Sequence, residues 1–436
     1  MIGEKEKYLA MKEDFLQYVW RHQLFSKTNL QSTEFNQIEI VFPGNYNTNS
    51  GPDFLNAKIK IEDILWGGNV EIHVKSSDWY VHQHEKDPNY DSVILHVVWE
   101  DDAEVFTKDN LSLSTINLSK LVAKDLLFNY QKLYSKEQRW IPCENAINTI
   151  DSFVFENWKE SLFFERLEEK SVLINQLLND SNSDYEAVLF KLLAKNFGLK
   201  TNAEAFLNLA NSVDFSIVRK LHKDAFQLEA LFFGQAGFLE KTSEEQYTID
   251  LKTEYEYLKH KFKLQPIHNG QFQFFRMRPT NFPTIRIAQL VSLYYKQQNL
   301  FSKLMKTKDV KEMYQFFIIE LNDFWKTHYT FQKTGLKSAK NITKSFVDLL
   351  LINTIIPLKF NYLKSRGEVE EAQFLMLIQQ LKPEQNSIIS KFKDLEIHSK
   401  NALETQALLQ LKNKYCAKKR CLQCAIGNSL LKNSYC

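Results

Sequence analysis

The hydrophobic period of this chain changes once, near residue 120, and that change decides what it can fold into. Before it, apolar residues alternate. Gln37–Phe42, Ala57–Ile64 and Val70–Lys75 each read as a strand, with the period of two that a pleated sheet imposes. Val93–Trp99 is almost wholly apolar and reads as a buried strand, and Ser112–Leu118 suggests one more. After residue 120 apolar residues recur at i, i+3 and i+4, from Leu121–Leu133 through to Asn386–Leu411. No repeat of fixed length is present, so a regular solenoid is not expected. A chain of 436 residues is also too long for one compact core. The expected class is therefore α+β. A small N-terminal mixed-sheet domain (1–120) precedes a large irregular all-α region (121–411) and a cysteine-rich tail (412–436). With 12 Gly and 9 Pro, long flexible linkers are not expected, and 33 Phe with 18 Tyr supply material for helical cores.

The chemistry concentrates between Asn49 and Glu100. Asp53 follows Gly-Pro and opens one alternating run; the next run places Glu71, His73 and Lys75 two residues apart. Side chains two apart on a strand share a face, so these three project together while Val70, Ile72 and Val74 face the core. Trp66-Gly67-Gly68-Asn69 reads as the hairpin turn between the two runs. Residues 7–25 read as an amphipathic helix with Phe15, Leu16, Val19, Trp20 and Leu24 on its apolar side. Glu13 on that helix is either a solvated acid or a carboxylate leaning over the site. Two carboxylates suit Mg²⁺ or Mn²⁺, which prefer hard oxygen ligands, with a Lys to steady developing negative charge. The plain alternatives are a loop acid at Asp53 and a cross-strand ion pair between Glu71 and Lys75. His82, His84 and His96 lie in the same stretch with His73. A His-x-His pair with a further His suits a transition metal, unless these rings are solvated or satisfied in the core.

Net charge is only +2, but it is segregated: Asn47–Asp102 carries eleven acids against four lysines, and Gln410 onward carries six Lys or Arg and no acid. An acidic patch repels phosphate unless a cation sits in it, whereas a basic tail attracts phosphate. The start is charged, without the apolar core of a secretory signal. No apolar run approaches the roughly 20 residues of a membrane span; the best, Phe346–Leu358, is short and holds Asp348 and Asn353. Five Cys, four of them after residue 415, argue for a cytoplasmic thiol or metal role rather than a disulfide framework. Cys416-x4-Cys421-x2-Cys424 has metal-ligand spacing for zinc or an Fe–S cluster, with Cys143 or Cys436 as the fourth ligand. Arg276, Arg278 and Arg286 form an acid-free basic motif stiffened by two prolines, with Thr284 as an expected helix N-cap. Such arginines bind phosphate or staple helices within the fold.

A helix followed by three antiparallel strands and a fourth strand resembles the αβββ(α)β core of the PD-(D/E)XK nuclease-like superfamily. The resemblance implies Mg²⁺ or Mn²⁺ on Asp53 and Glu71. It departs from the superfamily at the next position, offering Glu71-x-His73-x-Lys75 for Glu-x-Lys, so that Lys75 or His73 takes the assisting role. The helix due before the fourth strand is weak in W-Y-V-H-Q-H-E-K-D-P. Over essentially its full length the chain also resembles a bacterial domain-of-unknown-function family found mainly in Bacteroidetes. That likeness rests on S-G-P-D-F (Ser50–Phe54), V-E-I-H (Val70–His73), S-D-W (Ser77–Trp79), V-I-L-H-V-V (Val93–Val98), R-x-R-P-x-N-F-P (Arg276–Pro283) and Y-C-x4-C-L-x-C-x-I-G (Tyr415–Gly427). The function expected is a metal-dependent nuclease cutting DNA or RNA, with nucleic acid as partner and no membrane. The alternatives are an inactive nucleic-acid-binding scaffold and a His-rich metal hydrolase of a small substrate.

Overall fold

The computed structural model describes residues 11–135, 139–240 and 244–432. The chain forms two compact units, one from the residues up to Trp158 together with those from Leu411 onward, the other Lys159–Gln410. The first unit thus runs past residue 120 and takes in the tail. The reason lies in side chains that bridge the sequence: Tyr130 stacks on Phe15 with centroids 4.1 Å apart, and the Asn129 amide donates to the Leu431 carbonyl.

The first unit is built on a six-stranded mixed sheet. Its strands are β1 (Ile38–Phe42), β2 (Asn45–Tyr46), β3 (Phe54–Ile61), β4 (Ile64–Lys75), β5 (Val93–Glu100) and β6 (Thr115–Asn117). The order is β1-β3-β4-β5-β6, with β2 also on β3. β1, β3 and β4 pair antiparallel; β4, β5 and β6 pair parallel. Helix α1 (Glu13–Arg21) buries Phe15, Leu16, Val19 and Trp20, four of the five residues expected on its apolar side. β5 is buried along most of its length, as expected of a parallel strand covered on both faces. A parallel step needs a crossover connection. Here it is short: the single turn α2 (Asp78–Val81) and two 3₁₀ turns, His84–Lys86 and Pro88–Tyr90.

The hairpin between β3 and β4 turns at Glu62-Asp63, not at Trp66–Asn69. Ile61 pairs with Ile64 across a two-residue loop, and Glu62 takes the left-handed conformation. The glycines serve another purpose. A Cβ on Gly68 would lie 2.4 Å from Ile94 Cγ2 and 2.5 Å from the Ser92 carbonyl oxygen, so glycine lets β4 approach the chain entering β5.

The second unit is helical and has its own continuous apolar core. Several long expected helices are interrupted. Ser216–Phe232 breaks into Phe215–Leu221 and Ala225–Gln235 because Asp224 caps the second with bonds from the Phe226 and Gln227 amides. Val310–Trp325 and Asn386–Leu411 divide likewise, the latter into Ser387–Asp394 and Ala402–Gln410. Residues 344–365 instead run on as one helix, longer than the expected Ser338–Leu351 and passing through a π turn at Leu351–Ile355. Pro357 explains the π turn, since its ring clashes with, and cannot donate to, the carbonyl one turn earlier. The buried Lys170 ammonium takes up the Ile352 carbonyl at 3.4 Å and Asn353 Oδ1 at 2.8 Å. By length and composition this helix is long and apolar enough to cross a membrane, as a buried core helix also can be; 72% of its apolar window is buried. Pro283, not Thr284, opens the helix Pro283–Lys296; Thr284 lies inside it and its hydroxyl donates to the Tyr329 carbonyl.

Candidate metal centre

Asp53 stands at the mouth of β3, held by a loop that caps itself. The Asn47 side chain donates to the carbonyls of Ser50 and Pro52 at 3.2 and 3.0 Å and accepts from the Asn49 amide, while the Asn47 amide donates to the Asp53 carbonyl. Gly51 at φ +96° makes the turn. The β3–β4 register slips between Phe54 and Ala57, with Asn56 left-handed. Bulges of this kind re-aim side chains beside functional sites. This one brings Asp53 against the downstream half of β4: the Ile72 amide donates to Asp53 Oδ2 and the Asp53 amide to Glu71 Oε2, each at 3.1 Å. The Gln17 amide of α1 donates to Asp53 Oδ1 at 2.8 Å.

The other oxygen of Glu71 faces imidazoles. Glu71 Oε1 lies 3.5 Å from Nε2 of both His73 and His84, and His73 Nε2 lies 3.1 Å from His82 Nδ1. The ligand atoms of His73, His82 and His84 all fall within 4.8 Å of one another. His73 is 1% exposed and His82 is open to solvent, so the cluster has a buried floor and an accessible side. Each ring is anchored. His84 stacks on Tyr90 with centroids 3.7 Å apart, and Trp79, whose indole donates to the Phe106 carbonyl, packs edgewise on His84 and tilted against His96. His73 Nδ1 meets His96 Nε2 at 2.9 Å. When His73 donates in that bond its Nε2 lone pair is left facing the cluster, the arrangement an orienting partner imposes on a metal-binding histidine. Burial, and then the neighbouring imidazoles, push His73 down to about 2; burial likewise lowers His84. Both rings are neutral ligands at ordinary pH.

The carboxylates move the other way. Asp53 is raised by burial and then by the charge of Glu71. Glu71 is raised by burial, against the Asp53 amide that it accepts from, with Glu13 adding to the rise. Glu13, in the first turn of α1, is raised by burial, with the charges of His82 and His84 acting against the rise and those of Asp78 and Asp14 adding to it. A cation would reverse these shifts by supplying the missing positive charge. The donor set fits one. Ligands about 2.1 Å from a single ion stand roughly 3.0–3.4 Å apart; the His73–His82 spacing of 3.1 Å falls in that range, the 3.5 Å spacings from Glu71 to His73 and His84 lie just above it, and the three imidazoles as a set lie within 4.8 Å of one another.

The structure therefore gathers Asp53, Glu71, His73, His82, His84 and Glu13, with His96 behind His73. It draws Lys75 elsewhere: its ammonium lies 3.6 Å from Glu100 and 3.8 Å from Asp102, because the parallel register sets Lys75 opposite Glu100. Sequence reasoning missed Gln17, Trp79 and Tyr90. Gln17 carried a signal, one helical turn after Glu13 on the same face. Of the arginines, all in the helical unit, Arg286 is buried, donates to Gln289 and Asn281 at 2.8 and 2.7 Å and lies over the Phe346 ring; Arg276 and Arg278 are exposed. Cys143, Cys416, Cys421 and Cys424 line one cavity, separate from the histidine cluster; Cys436 lies outside the described residues.

Neither the curated proteins nor the solved structures contain a match to this chain. A family model does match it, over residues 13–387, a span that includes α1, the whole sheet with its acids and imidazoles, and most of the helical unit. The chain belongs to the family described as protein of unknown function (DUF2851).

Proposed function

We propose that this protein is a metal-dependent phosphodiesterase of the nuclease kind, acting on DNA or RNA. One observation carries the reading: Glu71 Oε1 sits 3.5 Å from two imidazole nitrogens, with a third imidazole 3.1 Å from one of them. A buried carboxylate facing two imidazoles whose burial keeps them neutral, with a third imidazole beside them, is a poor structural contact and a good ligand set. A divalent ion held there supplies Lewis-acid polarisation of a phosphoryl oxygen and a lowered pKa for an attacking water. Asp53 and Glu13 flank the set and are positioned to orient that water or accept its proton. The imidazole content favours Mn²⁺ or Zn²⁺ over Mg²⁺. The phosphodiester assignment is supported by the topology. One helix, antiparallel β1, β3 and β4, a reduced crossover helix and parallel β5 form an αβββ(α)β core, with the acids at β3 and β4.

A second reading, a metal hydrolase of a small substrate, is favoured by the pairing of Lys75 with Glu100 and Asp102, which removes the lysine a nuclease of this type uses. One experiment separates them. The full-length protein is incubated with single- and double-stranded DNA, RNA and an activated phosphate diester, each with Mg²⁺, Mn²⁺ or Zn²⁺, beside Glu71→Gln and Asp53→Asn. Nucleic-acid cleavage that needs both acids supports the first reading. Cleavage of the small diester alone supports the second. Equal activity in wild type and both variants, or none in any, overturns the assignment.

A further inference from the structure

A second site, independent of the histidine cluster, lies where the tail meets Pro142 and Cys143. Cys143, Cys416, Cys421 and Cys424 are all buried and all free thiols, though they come from segments some 270 residues apart (143 to 416). They line one small cavity, closed by Pro142, Leu411 and Tyr415. Each is delivered by a different piece of backbone. Cys143 opens a turn whose Ala146 and Ile147 amides bond its carbonyl, and Cys416 ends a π turn, Leu411–Cys416. Cys421 begins a 3₁₀ turn, and Cys424 directly precedes the helix Ala425–Lys432. Gly427 makes this winding possible, since a Cβ there would lie 2.1 Å from the Cys421 carbonyl oxygen.

Three features say what the cavity holds. Burial of four thiols in one pocket without a disulfide is what metal ligation explains. A tetrahedral ZnS4 site with bonds near 2.3 Å has edges of about 3.8 Å, yet among the described residues the group found with its ligand atoms within 4.8 Å of one another is the histidine triad, not these cysteines. An iron–sulfur cluster is itself several ångströms across and spreads its four thiolates wider than one ion does. The surroundings also offer hydrogen to sulfur. Cys424 directly precedes the first turn of its helix, whose Ile426 and Gly427 amides act against the rise that burial imposes on its thiol, while the Tyr134 hydroxyl donates to the Lys419 carbonyl at 3.2 Å. The Trp158 indole N–H is directed at Cys424, buried, and closes no full hydrogen bond. The acid-free tail, with six Lys or Arg, suits the net negative charge of a thiolate-bound cluster.

We propose that Cys143, Cys416, Cys421 and Cys424 ligate a [4Fe–4S] cluster that clips the C-terminal segment to the sheet-bearing unit. The full-length protein is purified without oxygen and analysed for iron, acid-labile sulfide and zinc, with visible absorption and Mössbauer spectra. The expected result is a brown protein with about four iron and four sulfide per chain. In the same analysis Cys143→Ser loses the four-iron spectrum, whereas Cys436→Ser keeps it at full iron content. Zinc without sulfide, a metal-free protein, or loss of iron in Cys436→Ser but not in Cys143→Ser would each overturn the proposal. The wild-type analysis decides the cluster even where a variant fails to fold.

Discussion

The metal centre implies a proton count that can be measured. Asp53, half-buried, and Glu71, buried, lie side by side, each raised above the ordinary carboxylate range. An acid whose pKa is raised in the folded protein keeps its proton at pH values where a solvated acid has lost it. Two such acids in contact titrate as a pair, and near neutral pH the metal-free pair holds one proton. His73 and His84 are shifted down and so bring none. An ion seated on Glu71 must expel the shared proton. Adding Mn²⁺ or Zn²⁺ to metal-free full-length protein near neutral pH should therefore release about one proton per ion. The apparent affinity should rise about tenfold, or about 1.4 kcal/mol, for each pH unit until the pair ionises unaided, and level off above that. Calorimetry of metal binding in buffers of different ionisation enthalpy counts the protons directly. Glu71→Gln removes the ligand and the smaller of the two causes that raise Asp53, so its residual binding should release fewer protons than the wild type. Tight binding to the wild type with no proton released, and an affinity flat through neutral pH, would refute the reasoning. Release of two or more would mean that the imidazoles are protonated and the neutral-ligand argument fails.

The same groups set the pH dependence of stability. His73 and His96 are depressed, so their contribution is present above the ordinary histidine pKa of about 6.5 and lost as pH falls. The raised acids act oppositely: their cost builds from the ordinary carboxylate range of about 4 and is complete once pH has passed their folded values. Thermal denaturation of the metal-free chain should thus show its greatest stability on the acid side of neutral, with the fall through neutral pH abolished by Mn²⁺; a fall that Mn²⁺ leaves untouched would assign it to other groups. Gly68→Ala should cost about 1–3 kcal/mol by forcing β4 from the Ser92 carbonyl, read as a lower unfolding midpoint for the sheet unit, and an unchanged midpoint contradicts the close approach. In the helical unit the buried Lys359 ammonium caps the helix Leu300–Lys306, donating to the carbonyls of Leu304, Met305 and Thr307 at 3.3, 2.8 and 2.6 Å. Lys359→Met should lose about 2–4 kcal/mol in urea denaturation by orphaning them; a loss below about 0.5 kcal/mol would show that water satisfies them instead.

What could be read from the sequence depended on how far apart the contacting residues lie. The alternation of Val70–Lys75 locates β4, and the apolar run of Val93–Trp99 locates β5, because each pattern is local to its strand. Glu71, His73, His82 and His84 fall within fourteen consecutive residues, so β4 and its short crossover bring them together with little help from the rest of the chain. The turn at Trp66–Asn69 was misplaced because glycines that admit a neighbouring strand look, in sequence, like glycines that reverse the chain. Lys75 shares a face with Glu71 by spacing, yet its long side chain answers to acids on β5 and beyond that alternation along β4 does not reveal. The domain boundary shifted for the same reason. The periodicity of residues 121–133 marks a helix but not what it packs on; Phe15 and Leu431, which draw it into the first unit, lie more than a hundred residues away in either direction. Composition offered Cys143 or Cys436 as a fourth member beside Cys416, Cys421 and Cys424, and the structure sets Cys143 on one cavity with those three. Thiols that cannot be satisfied locally point across the fold, whereas an apolar side chain can be buried by almost any neighbour and so leaves no such trace.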